Sequence, residues 1–517
     1  MIDRIPYFTF LRVAAGVVSM PISSWAEAQT ISPKPPNIVF LFSDDHAIQA
    51  ISAYGSKINK TPNIDRIANE GAIFLRNYCA NSICAPSRAC VLTGKHSHMN
   101  GQRTNFDTFD GGQETFPKLL QKKGYTTAIF GKWHLKTNPT GFDEWMIYPG
   151  QGVYYNPDYI TPDGKKRIHG YAVEVTTNLA LDYLKRNKDG KPFLLMCQFK
   201  APHRNWMPGP KYLHMYDDVT IPEPETLFDD YKGREKPASR HRMGIDNDMT
   251  FYYDLKVPQK HGRYDGLMKS FMHRMTPDQL DAWKKAYDPK NKIFMESHLE
   301  GKDLVRWKYQ RYVKDYLRCV AAVDDNVGRI LDYLHESGLD KNTIVVYSSD
   351  QGFYLGEHGW FDKRWMYEES FRMPLLMRWP GKIKPGTKID KLTQNIDFAP
   401  TLLEAAGANV PKDIQGKSLL PLLSGKDVDW RKSLYYHYYE EGGGHGVTRQ
   451  YGVRTANYKL IHYYAYNKWE LFDMKKDPHE MKNVYKNPEY MKIRKDLEAE
   501  LTRLERLYKV QEKDDKP

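Results

Sequence analysis

Short apolar runs closed by polar clusters recur along most of the chain. Asn37–Phe42, Thr126–Phe130, Phe193–Phe199, Thr343–Tyr347 and Pro374–Arg378 are rich in Ile, Val, Leu and Phe and carry almost no charge. Runs of this length without alternation predict strands buried on both faces, as in a parallel sheet. Between them the apolar residues fall three or four apart. Pro62–Gly71, with Pro at its start and Gly at its end, predicts a helix, as do Phe116–Lys123, Val173–Arg186, Asp303–Ser337 and Ile396–Ala406. Strand alternating with helix predicts an α/β fold, a large doubly wound and mostly parallel sheet flanked by helices. From about Pro208 to Gly301 no clear period is visible, which predicts a long insertion near the active face. After residue 425 the texture changes. Leu434–Tyr439, Tyr451–Thr455, Tyr458–Tyr464 and Trp469–Phe472 predict short aromatic strands, and Tyr485–Tyr508 an amphipathic helix. The expected division is a signal at 1–28, a large α/β domain at 29–425 and a small antiparallel sheet with a packed helix at 426–517.

Polar residues follow the strands at fixed places: Asp44-Asp45, then Lys132 and His134, then His203, then Asp350-Gln351. In open α/β sheets, ligands bind beyond the carboxyl ends of the strands. These residues, far apart in sequence, are therefore expected to meet in one site. Asp44, Asp45, Asp350 and the Gln351 side-chain oxygen are hard donors that suit Ca²⁺ or Mg²⁺ rather than Zn²⁺. Asp44-Asp45 taken alone also reads as a turn or helix cap. Each Lys or His taken alone also reads as a solvated surface group.

Composition narrows the classes. Aromatic residues make up 13% of 517, with 36 Tyr and 11 Trp, so the chain is a folded one. A formal charge of +12 favours anionic partners, nucleic acid and sulfated polysaccharide alike, and no nucleic-acid motif is present. Residues 1–28 read as a secretory signal. Arg4 lies near the start, a mostly apolar stretch from Phe8 to Trp25 is interrupted by Arg12 and Pro21, and Ala26-Glu27-Ala28 offers a cleavage site. No other segment is long and apolar enough to span a bilayer. The expectation is an exported protein, periplasmic or secreted, without stable membrane insertion. Cys79, Cys84, Cys90, Cys197 and Cys319 are too few and too odd to imply a disulfide framework.

One stretch organises the chemistry. Cys84-Ala85-Pro86-Ser87-Arg88-Ala89-Cys90-Val91-Leu92-Thr93-Gly94 resembles the maturation signature of the type I sulfatases. The resemblance implies an alkaline-phosphatase-like fold. It also implies that Cys84 is oxidised to formylglycine (3-oxoalanine) by a dedicated maturating enzyme, which would be a partner. It points to Ca²⁺, with Mg²⁺ second, held by Asp44, Asp45, Asp350, Gln351 and residue 84. Family members usually carry Asn or His where Gln351 stands. Arg88 would steady the hydrated aldehyde. Lys132, in Gly-Lys-x-His, and Lys363, in Gly-Glu-His-Gly-Trp-Phe-Asp-Lys-Arg, would hold sulfate. In the mechanism so implied, one hydroxyl of the hydrated aldehyde attacks sulfur and His203, with Lys363, protonates the leaving alcohol. The second hydroxyl then gives its proton to His134, and sulfate departs.

Gly356–Ser370 and Lys200–Pro208 resemble carbohydrate sulfatases of the N-acetylglucosamine-6-sulfatase type, which act on glycosaminoglycan or mucin glycans. Asp362 and Arg364 flank Lys363 and are expected to face substrate, where acceptor and donor could hold two vicinal hydroxyls. His445, in the loop Gly442–Gly446, either reaches over the site or is a hairpin tip. His46, His96, His98 and His358 read as structural, or as lying one layer outside the site. The other readings are a sulfatase for another sugar or for an aryl or choline sulfate, a phosphonate or phosphate monoester hydrolase of the same superfold, and an inactive glycan-binding relic.

Overall fold

The computed structural model describes residues 34–187, 190–259 and 262–511, with Thr9 and Leu11 as isolated positions before them. The signal expected at residues 1–28 falls almost wholly outside the described residues. Among these, ten strands form one sheet. In chain order they are Asn37–Ser43 (β1), Ala72–Phe74 (β2), Thr126–Gly131 (β3), Glu144–Ile147 (β4), Asp158–Thr161 (β5), Gly164–Arg167 (β6), Phe193–Gln198 (β7), Thr343–Ser349 (β8), Leu375–Arg378 (β9) and Thr387–Ile389 (β10). Across the sheet they run β10-β2-β9-β8-β1-β7-β3-β4-β5-β6. The five central strands, β8 to β4, are parallel. Strand β9 is antiparallel to β8, and β5 and β6 close one edge in antiparallel fashion. The fold is the expected mostly parallel α/β sheet.

The apolar runs are explained by helices on both faces. Val39, Leu41, Val345 and Tyr347 point into a core under the helices Pro62–Asn69, Ala172–Arg186 and Gly301–Glu336. Ile38, Phe40, Phe42, Ile344 and Val346 point into a second core that includes Ala85 and Ala89 of the Cys84–Thr93 helix and Leu402 of Phe398–Ala405. Neither face of the central strands meets water, so neither tolerates alternation. The register brings the strand ends level: Phe42 pairs with Gln198, Ser43 with Ser349, and Gly131 with Gln198.

Two regions were not expected from the sequence. The insertion contains helices at Asp265–Met272 and Pro277–Ser297. The longer one buries only Trp283, Ala286, Tyr287 and Asn291 and carries Pro289 inside, so its period is diluted by charge. Its start was legible, because Thr276 and Gln279 form a capping box with Pro277 at the first turn. The short strand β4 and the edge strands β5 and β6 were not expected either. Strand β6 is exposed along its whole length and so carries no apolar pattern.

Beyond residue 425, Ser433–Tyr438 (β11), Gln450–Thr455 (β12), Tyr458–Tyr463 (β13) and Lys468–Asp473 (β14) form an antiparallel sheet in that order. The helix Met491–Tyr508 lays Leu497, Leu501 and Leu504 against Tyr435, Val453, Leu460 and Leu471. It starts later than expected, because Asn487 caps a separate turn at Pro488–Tyr490. All five cysteines are buried and free, and no described helix is long and apolar enough to cross a membrane.

Candidate active site

The strand-end residues converge. Cys84 is the first residue of a ten-residue helix whose side chains are all buried, a position where the helix dipole favours an anion. Its sulfur and one oxygen each from Asp44, Asp45 and Asp350 lie within 4.8 Å of one another. Ser87, on the same helix, bonds the Asp350 carbonyl, and Asn395 Nδ2 holds the Ser87 hydroxyl at 2.9 Å. Arg88 faces the same centre: its Nη2 and Nε reach Asp350 Oδ2 at 3.0 and 3.3 Å. Its Nη1 donates to the Lys132 carbonyl at 2.9 Å and to Gln198 Oε1 at 2.5 Å. Lys132 pairs with Asp44 and donates to Gln151 Oε1 at 2.6 Å. Lys363 Nζ reaches Asp45 Oδ2 at 2.7 Å.

Two histidines complete the ring. His203 Nε2 lies 3.8 Å from Asp45 Oδ2, while its Nδ1 donates to the Arg204 carbonyl at 2.6 Å. That carbonyl can only accept, so a proton is fixed on Nδ1 and Nε2 faces the site. His134, two residues beyond Lys132, has its Nδ1 buried without a hydrogen-bond partner. Burial holds both imidazoles well below their ordinary range, assisted by neighbouring lysines. Backbone strain marks the same residues: φ is 66° at Asp45, 60° at His134, 81° at Asp362 and 93° at Arg364, all in the left-handed region.

The carboxylates fit a cation. Burial pushes Asp45 up to about 8 and Asp350 up to about 6, with neighbouring carboxylates adding to it. Burial also opposes charge on Asp44, but Lys132, His203 and Arg88 outweigh it and hold that group well below its usual range. Asp44 Oδ1 and Gln351 Oε1 are buried without hydrogen-bond partners. The Gln351 Nε2 instead donates to Asp45 and, at 2.8 Å, to Asp350. Turning the amide over would present Oε1 to the same carboxylates, which is where a hard cation would sit.

An outer layer surrounds this centre. Arg364 Nε donates to Asp362 Oδ1 at 3.0 Å, and its Nη1 to Glu440 Oε2 at 3.1 Å and Tyr438 at 3.3 Å. His445 does reach over: its Nε2 is 3.4 Å from Asp362 Oδ2. Gln151, Gln198, Tyr438 and Glu440 carried no signal in the sequence, because only the folded chain brings them here. His46 stays outside, its Nδ1 bonded to the Tyr347 hydroxyl at 2.6 Å, and His358 pairs with Asp229. His96 and His98 stack on each other, His96 against Tyr508. A cavity of about 800 Å³ opens elsewhere, bordered by Gln49, Tyr309, Glu357 and His479, and none of the strand-end residues lines it. Volume alone does not mark the site; chemistry does.

Comparison with known proteins agrees. The sulfatase family profile matches residues 36–408, and that of the N-sulphoglucosamine sulphohydrolase C-terminal region matches residues 356–507. An N-acetylglucosamine-6-O-sulfatase of Bacteroides thetaiotaomicron is 47% identical over 97% of this chain and 91% of its own. A solved structure, of a protein in complex with its substrate D-glucosamine-2-N,6-O-disulfate, superposes with a TM-score of 0.91 at 48% identity, covering 94% of this chain and 100% of that one. A phosphonate monoester hydrolase from Silicibacter pomeroyi, at a TM-score of 0.66 and 22% identity over 91% of this chain and 95% of its own, shares the fold alone. With the family profile spanning the large sheet and a relative near half identity along almost the full length, the chain belongs to the sulfatase family and hydrolyses sulfate esters.

Proposed function

We propose that this sulfatase removes the 6-O-sulfate from N-acetylglucosamine units of glycosaminoglycan or mucin glycans, acting after export. Residue 84 would be formylglycine, made from Cys84 by a maturating enzyme. Asp44, Asp45, Asp350, Gln351 and residue 84 would hold Ca²⁺. The observation that carries the reading is the convergence of three carboxylates and three fixed cations, Arg88, Lys132 and Lys363, on residue 84. Their formal charges balance, so a divalent ion would leave the centre positive, as a sulfate monoester requires. The bound ion would supply Lewis acidity toward the sulfate oxygens and residue 84.

The side chains divide the remaining work. The unmodified thiol is a poor nucleophile here, since burial pushes Cys84 up to about 12. The hydrated aldehyde would replace it with two hydroxyls, one to attack sulfur and one to release sulfate. Lys132 and Lys363 flank residue 84 and would bind the sulfate oxygens; Arg88 fixes the carboxylate frame. His203 Nε2 points at the site; with its other ring proton held on Nδ1 by the Arg204 carbonyl, it would hand a proton to the leaving sugar oxygen from the imidazolium form, which Asp45 at 3.8 Å and the bound sulfate would favour, and be left neutral. His134, neutral with a free ring nitrogen, would take the proton of the second hydroxyl.

Asp362, Arg364 and His445 sit one layer out and present acceptor and donors suited to vicinal sugar hydroxyls. The relative named for N-acetylglucosamine-6-O-sulfate and the solved structure bound to a 6-O-sulfated glucosamine, each near half identity to this chain, support that assignment. The test is sulfate release from 6-sulfated N-acetylglucosamine, its 3-sulfated isomer, sulfated galactose and galactosamine, a 2-sulfated uronic acid and a phosphate ester. The protein's Cys84 conversion must first be verified by intact mass. Turnover of the 6-sulfated N-acetylglucosamine alone is expected; preference for another sugar would discard the assignment.

A further inference from the structure

His203 sits in a turn that is held from outside. The turn, Lys200–Trp206, follows β7, and three of its successive carbonyls each accept from a different donor. The His203 carbonyl accepts the Tyr154 hydroxyl, the Arg204 carbonyl accepts His203 Nδ1 and the Asn205 carbonyl accepts Lys256 Nζ, each at 2.6 Å. The middle bond sets the imidazole: the ring presents Nε2 to the site while Nδ1 donates to the Arg204 carbonyl.

The residue that owns this carbonyl is fixed through its side chain. Arg204 Nε and Nη2 donate to the two oxygens of Asp254, both at 2.7 Å. The guanidinium carbon lies 4.9 Å from the Phe361 ring centroid and 5.4 Å from that of Tyr253. Asp254 is fully buried, and its Oδ2 also accepts the Thr250 amide and hydroxyl at 2.8 and 2.9 Å. Burial opposes charge there, but Arg204 outweighs it and holds the carboxyl below its ordinary value. Lys256 Nζ joins the Asn205 carbonyl to that of Asp254, at 2.6 and 2.7 Å. Both ties therefore come from Thr250–Lys256, inside the insertion whose sequence shows no period. For stability alone, an apolar pair of the same volume serves as well as a buried ion pair. A bidentate pair adds direction. We propose that Asp254 is a positioning residue for proton transfer: through Arg204 it holds the carbonyl that orients His203, while its own burial keeps it from substrate. The step it serves moves the Nε2 proton to the ester oxygen as the S–O bond breaks, leaving a neutral alcohol and a neutral imidazole. The inference rests on the proposed role of His203 as the acid and not on the choice of sugar.

The test uses two aryl sulfates: nitrophenyl sulfate, whose leaving group departs without a proton, and phenyl sulfate, whose poorer leaving group needs one. Neither carries a sugar, so Asp362, Arg364 and His445 do not enter the ratio of the two kcat values. A ratio taken on one preparation is also independent of how much of it is folded or converted at Cys84. Asp254→Asn should lower kcat on phenyl sulfate about tenfold or more, the cost of a misplaced proton donor, and on nitrophenyl sulfate by no more than about twofold. Because that variant strands the Arg204 charge, the neutral pair Arg204→Gln/Asp254→Asn is measured beside it and should show the same selective loss. His203→Ala should show the selective loss in full, and adding Asp254→Asn to it should change the ratio no further, which a merely structural role does not predict. If His203→Ala is selective while Asp254→Asn and the neutral pair are not, or if the effects on the ratio add, the positioning role is overturned and the acid stands. If His203→Ala slows both esters alike, the acid reading falls and this inference with it.

Discussion

Asp362→Asn separates sugar recognition from sulfate chemistry. The Asp362 side chain is 4% exposed and is held by Arg364 at 3.0 Å and His445 at 3.4 Å, with Lys363 at 4.0 Å. His445, Lys363 and Arg364 overcome its burial and keep the carboxyl well below the usual range, so it is a full charge at neutral pH. The amide keeps the shape and removes that charge. Arg364 retains Glu440 at 3.1 Å, so its guanidinium is not stranded. The cost to the fold should then be well under the ~3–5 kcal/mol of an unpaired buried ion. Hydrogen bonds to a charged acceptor are worth about 1.5–3 kcal/mol each, and neutral ones about half. Losing half of two such bonds to sugar hydroxyls removes roughly 1.5–3 kcal/mol of transition-state binding, or about ten- to hundredfold in kcat/KM. The assay is kcat/KM on 6-sulfated N-acetylglucosamine against nitrophenyl sulfate, with equal Cys84 conversion in both preparations. The sugar should lose that factor and the aryl ester only a few-fold. An equal loss on both would place Asp362 in the sulfate chemistry and refute the argument.

Cys84→Ala should fold, since it removes only a small buried side chain, and should release no sulfate from any ester; turnover by that variant would remove residue 84 from the mechanism. His203→Ala should lower kcat by about 10²–10⁴ on a sugar sulfate, whose leaving alcohol needs a proton, and far less on nitrophenyl sulfate, whose leaving group does not. Similar losses on both would mean His203 is not the acid. Chelation should abolish activity, and Ca²⁺ restore it, with the melting temperature falling in the chelated form. Burial raises Asp45 to about 8 and Asp350 to about 6, so without a cation their contribution to stability is fully present only below the unfolded value of 3.8 and is lost as pH rises through the folded ones. The gap in melting temperature between calcium-loaded and chelated protein should therefore widen from pH 4 to pH 8; a constant gap would contradict the assignment of these carboxylates to the ion.

The sheet and the innermost residues were legible because physics wrote them locally. A parallel strand covered on both faces must be a continuous apolar run, and the residue that ends the run sits where ligands bind. Asp44, Lys132, His203 and Asp350 could therefore be placed together from four separate stretches. The next layer could not. Gln198 reads as one more residue of the Phe193–Phe199 strand until the fold sets it against Arg88. Glu440 lies beyond the aromatic strand β11, and nothing around it reveals that it pairs with Arg364 and Asn105. His445 had two readings, and only the packing of its loop against Arg242 and Asp362 decides between them. The helix Pro277–Ser297 shows the opposite failure: its cap is written locally, but its four buried residues are too sparse to set an apolar period.

The burial of the Cys84–Thr93 helix has a consequence for the order of events in the cell. Residue 84 is 1% exposed and Arg88 3%, with Arg88 locked to Asp350 and Gln198. The maturating enzyme proposed for Cys84 would have to take the segment into its own cleft, and the folded chain keeps that segment helical and buried. On that proposal conversion and folding would be rivals in time, settled once for each molecule. A chain that closed its sheet around an unconverted thiol would be correctly folded but inert. The fraction of active enzyme in a preparation would record how that race went during synthesis, not how well the protein folds.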